Sequence, residues 1–187
     1  MSLETSIADI VGVLEYEDLI DVNLVGHSAT GTVIAGVADR LPHRVRNLIY
    51  LDAVVPEDGQ SAWELLGPRN GAWLEELLAT TEHKWLLPVP DEENLFGIRD
   101  AADARWVKSK LTPQPVRPWR DAVRLSSPEG VKRSYIYCAS RGNSYAGTAA
   151  RVRSDPAWQY RELKTGHDAM VTAPRELTDA LIELSAR

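Results

Sequence analysis

Ser28 stands in the run Gly26-His27-Ser28-Ala29-Thr30, which matches G-x-S-x-G everywhere but the last position, where Thr30 replaces glycine and Gly31 follows. A serine hydroxyl is a weak nucleophile until a base takes its proton, so the pattern gains meaning only with a partner. His167, in "ELKTGHDAM", supplies one: it follows a short alternating segment, precedes a long amphipathic one, and comes after the serine in chain order. The chemistry of such a pair is acyl transfer, with Ser28 attacking a carbonyl carbon and His167 as general base. His27 sits inside the turn itself, placed to pack there or to line a substrate pocket. His43 and His83 lie in polar surroundings and receive no role.

A nucleophile of this kind needs a strand before it, a helix after it and a tight turn between them, with small neighbours so that helix and strand can approach. The flanking residues provide all three. "DVNLVG" (21–26) is a short apolar run and reads as a buried strand; 29–41 places Val33, Ile34, Val37 and Leu41 on one helical face, with Pro42 beyond its end. An earlier helix is predicted over 5–18 with Thr5 or Ser6 as its cap, and a second buried strand in "RNLIYLD", ending at Asp52. "KRSYIYCAS" and "AWQYREL" predict a third strand and a fourth, edge-like one, and "TAPRELTDALIELSAR" a closing helix with Thr172 as cap and Pro174 in its first turn. Helices alternating with strands over short joins imply a mostly parallel α/β sheet of about four strands.

Residues 1–55 therefore read as the first part of a core, 131–187 as its second part, and 56–130 as an insertion of helical fragments and proline-rich loop above the strand ends. That middle holds five of the six tryptophans and most of the eleven prolines. Trp63, Trp106 and Trp119 are candidates for lining an apolar acyl or aryl pocket; the alternative is that they pack the insertion onto the core. Cys138, the sole cysteine, falls in an apolar strand and reads as a small buried hydrophobe, which excludes an internal disulfide.

The net charge of -6 and pI near 5.3 argue against nucleic-acid or anionic-membrane partners. With no basic-then-apolar leader and no long apolar run, the expected location is cytoplasmic.

The segments "LVGHSATGTVIAGVADRLPHRVRNLIYLDAVVPEDGQS" and "WQYRELKTGHDAMVTAPRELTDALIEL" resemble the small α/β-hydrolases grouped with plant hydroxynitrile lyases and methylesterases, especially their bacterial esterase-like relatives. The resemblance spans nearly the whole chain and is weakest in the middle. It implies an α/β-hydrolase-like sheet with a helical cap, a Ser-His-acid triad and neither cofactor nor metal. Ser28 would then be the nucleophile and His167 the base, acting on a small ester or acyl substrate through an acyl-enzyme.

The chain departs from that family in three places. It begins at a helix that several strands and an oxyanion loop precede in such proteins, so a shortened front is expected, leaving the backbone N–H of Ala29 as one oxyanion donor and no visible second. The family's acid follows the third strand, yet "CASRGNSYAG" has no carboxylate; Asn143 could orient the imidazole, and Asp52 is the topological substitute, unless it merely caps its own turn. Thr30 is expected to crowd the turn. An open apolar edge on "DVNLVG" further predicts a homo-oligomer. Two other functions stay open: an impaired hydrolase-like protein kept for binding or assembly, and a lyase on the same scaffold, though the lysine of plant lyases has no identifiable counterpart.

Overall fold

The computed structural model describes residues 1–89, 96–126, 130–139 and 144–186. The chain opens with α1 (Leu3–Tyr16), whose cap is Ser2, in a reciprocal box with Thr5, rather than Thr5 or Ser6. β1 (Val22–His27) runs through a 3-10 turn (Ser28–Thr30) into α2 (Gly31–Arg40), and β2 (Val45–Leu51) follows. The insertion contributes α3 (Ala62–Leu65), α4 (Gly67–Thr80), β3 (Leu86–Leu87), α5 (Ala101–Lys110), β4 (Gln114–Pro115) and α6 (Arg117–Arg120). The chain then returns through β5 (Lys132–Cys138), α7 (Ala146–Arg153) and β6 (Trp158–Leu163), and closes with α8 (Ala169–Thr172) and α9 (Pro174–Ala186).

All four long strands are parallel, in the order β1-β2-β5-β6. β2 and β5 are central and carry the near-continuous apolar runs that burial on both faces demands. One face packs on α1 and α2 through Ile7, Leu14, Ile34 and Val37; the other packs Ile49 and Ile136 on Leu177, Ala180 and Leu184 of α9. A buried relay ties that second layer down: Ser134 donates to Asn47 Oδ1 at 3.0 Å, and Asn47 Nδ2 donates to the Leu184 carbonyl at 3.3 Å.

Thr172 does not cap the last helix. It ends α8, donating to the Asp168 carbonyl, while Pro174 opens α9 where its missing N–H costs nothing. The insertion has its own small core of Leu74, Leu78, Leu87 and Val116, and β3 pairs antiparallel with β4. Among the described residues, no helix is long and apolar enough to cross a membrane.

Candidate active site

The turn after β1 is strained. Ser28 sits at φ 61°, in the left-handed region, and its carbonyl accepts from the Val54 N–H at 3.1 Å. The glycine that lets α2 approach is Gly31: a Cβ there would lie 1.9 Å from the Val54 carbonyl oxygen. Thr30 points outward and donates to the His27 carbonyl at 2.7 Å, so it crowds nothing. The motif's last glycine has in effect moved one residue along.

Asp52, at the end of β2, is fully buried and also left-handed, at φ 42°. Its Oδ2 lies 2.7 Å from His167 Nδ1, and its Oδ1 accepts the Cys138 N–H at 3.1 Å. A carboxylate only accepts, so Nδ1 carries the proton and Nε2 is left with its lone pair. Asp52 is thus the carboxylate that touches the imidazole. Asn143, the other candidate, lies outside the described residues.

His27 packs against His167, ring centroids 4.2 Å apart with the planes tilted by 35°, and its Nε2 meets the His167 carbonyl at 3.0 Å. A carbonyl accepts, so this nitrogen donates and His27 steadies the backbone of its neighbour. Burial, reinforced by the nearby His167, holds the His27 pKa down at about 4. Its approach to Asp168, at 3.9 Å, is therefore not an ion pair at neutral pH. Burial likewise lifts the Asp168 carboxyl above its usual range.

Tyr145 is the residue that sequence reasoning missed. It is buried in the loop after β5, stacks on His167 (centroids 5.3 Å, 9° between planes), and places its hydroxyl 3.0 Å from Ser28 Oγ. Among the described residues, no hydrogen bond joins Ser28 to the imidazole in this state. Nothing in a single loop tyrosine signals such a place; only its position in the loop where an acid was sought could have drawn attention.

A cavity of about 700 Å³ opens over Ser28 and His167, and Ala29, His27 and Trp119 line it. Trp63 and Trp106 do not. Trp63 packs in the insertion's own core with Arg120 over its ring at 4.5 Å, and Trp106 is 57% exposed. Phe96, from the insertion, lies 5.9 Å from the His167 ring. Beside it, Gly97 and Gly166 meet backbone to backbone: a Cβ on Gly166 would stand 2.9 Å from the Gly97 carbonyl oxygen. The insertion thereby rests directly on the histidine loop.

Among the described residues, His27, His167 and Asp168 bring potential metal-ligand atoms within 4.8 Å of one another. Tetrahedral zinc, with bonds of about 2.0–2.1 Å, needs its donors closer, at roughly 3.3–3.5 Å. The trio would have to contract to hold such an ion.

Comparison with known proteins agrees with this geometry. The family model described as alpha/beta hydrolase family matches residues 2–180. The carbendazim hydrolyzing esterase of Nocardioides sp. (strain SG-4G) is 36% identical over 196 aligned residues, covering 98% of this chain and 79% of that protein. Among solved structures, an extracellular alpha/beta-hydrolase from a Paenibacillus species, described as sharing structural and functional homology with tobacco salicylic acid binding protein 2, superposes with a TM-score of 0.84. It is 22% identical and covers 98% of this chain and 79% of its own. Tomato methylketone synthase I bound to 2-tridecanone follows at a TM-score of 0.71 and 15% identity, covering 98% and 77%. With a strained serine turn, a parallel sheet and a helical insertion over the strand ends, this chain belongs to the alpha/beta hydrolase family.

Proposed function

We propose that the protein is a serine esterase that cleaves a small ester or related acyl compound through an acyl-enzyme. The observation that carries this reading is the 2.7 Å contact between Asp52 and His167 Nδ1, which leaves Nε2 unprotonated at the cavity that Ser28 also lines. In the first step Nε2 takes the Ser28 proton as Oγ attacks the acyl carbon, and the Ala29 N–H helps hold the oxyanion. The imidazolium then protonates the leaving group, and water repeats the sequence to release the acid. The 36% identical carbendazim hydrolyzing esterase supports hydrolytic chemistry, and Ser28, Ala29 and His167 share one cavity in which an ester could sit.

A second reading, a hydrolase-like protein kept for binding, draws on one feature: Ser28 is hydrogen-bonded to Tyr145, not to the base. A fluorophosphonate probe separates the two. The esterase reading expects covalent labelling at Ser28 that is lost in His167→Ala. Absence of labelling in the wild-type protein between pH 6 and 9 favours the binding role.

A further inference from the structure

We propose that Tyr145 is a catalytic residue, its phenolic O–H being the donor that, together with the Ala29 N–H, stabilises the negative charge formed on the substrate oxygen. The inference rests on Ser28 being the nucleophile. It begins from the 3.0 Å separation of the Tyr145 hydroxyl and Ser28 Oγ, a contact to the reacting atom itself.

During attack, the Ser28 proton passes to His167 Nε2, a bond forms between Oγ and the acyl carbon, and the carbonyl π pair moves onto its oxygen. Oγ thereby becomes an ether-like oxygen and a poorer acceptor. The oxyanion, bonded to the same carbon, becomes a far better one. A phenolic O–H within hydrogen-bonding distance of Oγ, where either hydroxyl can be the donor, can turn toward the oxygen bonded to the same carbon as the charge moves there. The phenol keeps its proton throughout. Collapse returns the pair to the carbonyl, breaks the bond to the leaving group, and sends that group away with the proton from His167.

Such a donor is effective only if it is fixed beforehand. Tyr145 is buried with Val54 and Ala62, packs against Ala29 and Leu65, and lies flat on the His167 ring. Its ring has little room to move, and the same stacking keeps the imidazole plane aligned. Burial raises the phenol's pKa well above the ordinary tyrosine value; the bond to Ser28 opposes that only in part, and Asp52 adds to it. The group therefore remains a donor across the whole working range of a serine esterase.

The position is also freed by the acid's place in the fold. Asp52 on β2 reaches His167, so the loop after β5 need not supply a carboxylate and can supply a hydroxyl to the nucleophile instead.

The test compares wild type with Tyr145→Phe, which keeps the ring and its stacking. Four readouts are taken: fluorophosphonate labelling of Ser28, p-nitrophenyl acetate turnover, and inhibition by trifluoroacetophenone and by acetophenone. The first ketone adds to serine and forms an oxyanion; the second only occupies the pocket. Expected are a labelled wild type, a kcat/KM for p-nitrophenyl acetate about 10²–10³-fold lower in the variant, and trifluoroacetophenone binding weakened by a similar factor. Acetophenone binding should stay unchanged, whereas a merely structural role would weaken both ketones alike. A labelled wild type with undiminished turnover in Tyr145→Phe overturns the role of Tyr145 alone; an unlabelled wild type overturns the nucleophile as well. Should the Phe variant not fold, 3-fluorotyrosine at position 145 offers a stronger donor of nearly the same volume. It must tighten trifluoroacetophenone without tightening acetophenone, and failure to do so is equally decisive against the proposal.

Discussion

Asp52 and His167 are separated by 115 positions in sequence, yet their side chains meet at 2.7 Å. The carboxylate comes from the end of the second strand, and its other oxygen is occupied by the Cys138 N–H. That second bond fixes which oxygen faces the imidazole. In Asp52→Asn the amide oxygen keeps the Cys138 N–H, so the amide NH₂ turns toward Nδ1 and forces the proton onto Nε2. A base in the wrong tautomer cannot take the serine proton. Turnover of p-nitrophenyl acetate should fall by about 10³–10⁴, with the fold intact by circular dichroism.

Gly31 is the second point of sensitivity. A methyl group there would fall 1.9 Å from a backbone carbonyl oxygen, which cannot swing aside as a side chain can. Gly31→Ala should cost about 3 kcal/mol, the upper end of the usual overpacking range, read from urea denaturation. Thr30→Gly, at the exposed position of the formal motif, should change stability by less than about 1 kcal/mol.

These two residues illustrate how much the sequence discloses. The strands and the serine turn were legible because burial on both faces writes continuous apolar runs, and because the close approach of α2 leaves room only for glycine at Gly26 and Gly31 on either side of the serine. α7 was not, since only Ala149 and Val152 of its eight residues are buried and its periodicity is faint. The antiparallel pair of β3 with β4 spans two residues each, too short for any alternation to show. Asp52 remained one of two possibilities because a strand-end aspartate at positive φ looks alike whether it caps a turn or orients a histidine. The contact of Tyr145 with Ser28 was invisible because it joins residues 117 positions apart.

His27 gives stability a pH dependence. Its folded pKa is held near 4, below the 6.5 of a free imidazole. Between those values the unfolded chain binds a proton that the native state excludes. Stability from this group is therefore complete above pH 6.5 and declines as pH falls toward 4, by on the order of 3 kcal/mol. Asp168, raised by burial, acts with opposite sign at the acid end of the window. Urea titrations should show a shallower slope between pH 4 and 6.5 in His27→Asn than in wild type.

The three tryptophans first considered for the pocket should part company on mutation. Trp119→Ala, at the cavity wall, is expected to alter KM for bulky aryl esters. Trp63→Ala should instead lower the melting temperature, having lost its packing with Leu74 and Leu78. Trp106→Ala, at a position 57% exposed, should leave both nearly as they were.

β1 closes one side of the sheet, and among the described residues no strand pairs with its outer edge. We propose that a second copy of the chain covers this edge, since unpaired strand edges invite pairing. Light scattering should give a dimer or larger assembly. A wild-type protein that is monomeric at every concentration tested would remove the idea.

The contact of Gly97 with Gly166 carries a last consequence. Two glycines leave no side chain between the insertion and the histidine loop, so there is no cushion to absorb a shift in either. Reshaping the pocket from the insertion side, to admit a larger acyl group, pushes through that contact onto the residue next to His167. Wall shape on the insertion side and the setting of the His167 ring are then mechanically linked: under the proposed function, a change of wall at Phe96 would be felt at the imidazole as well as by the substrate.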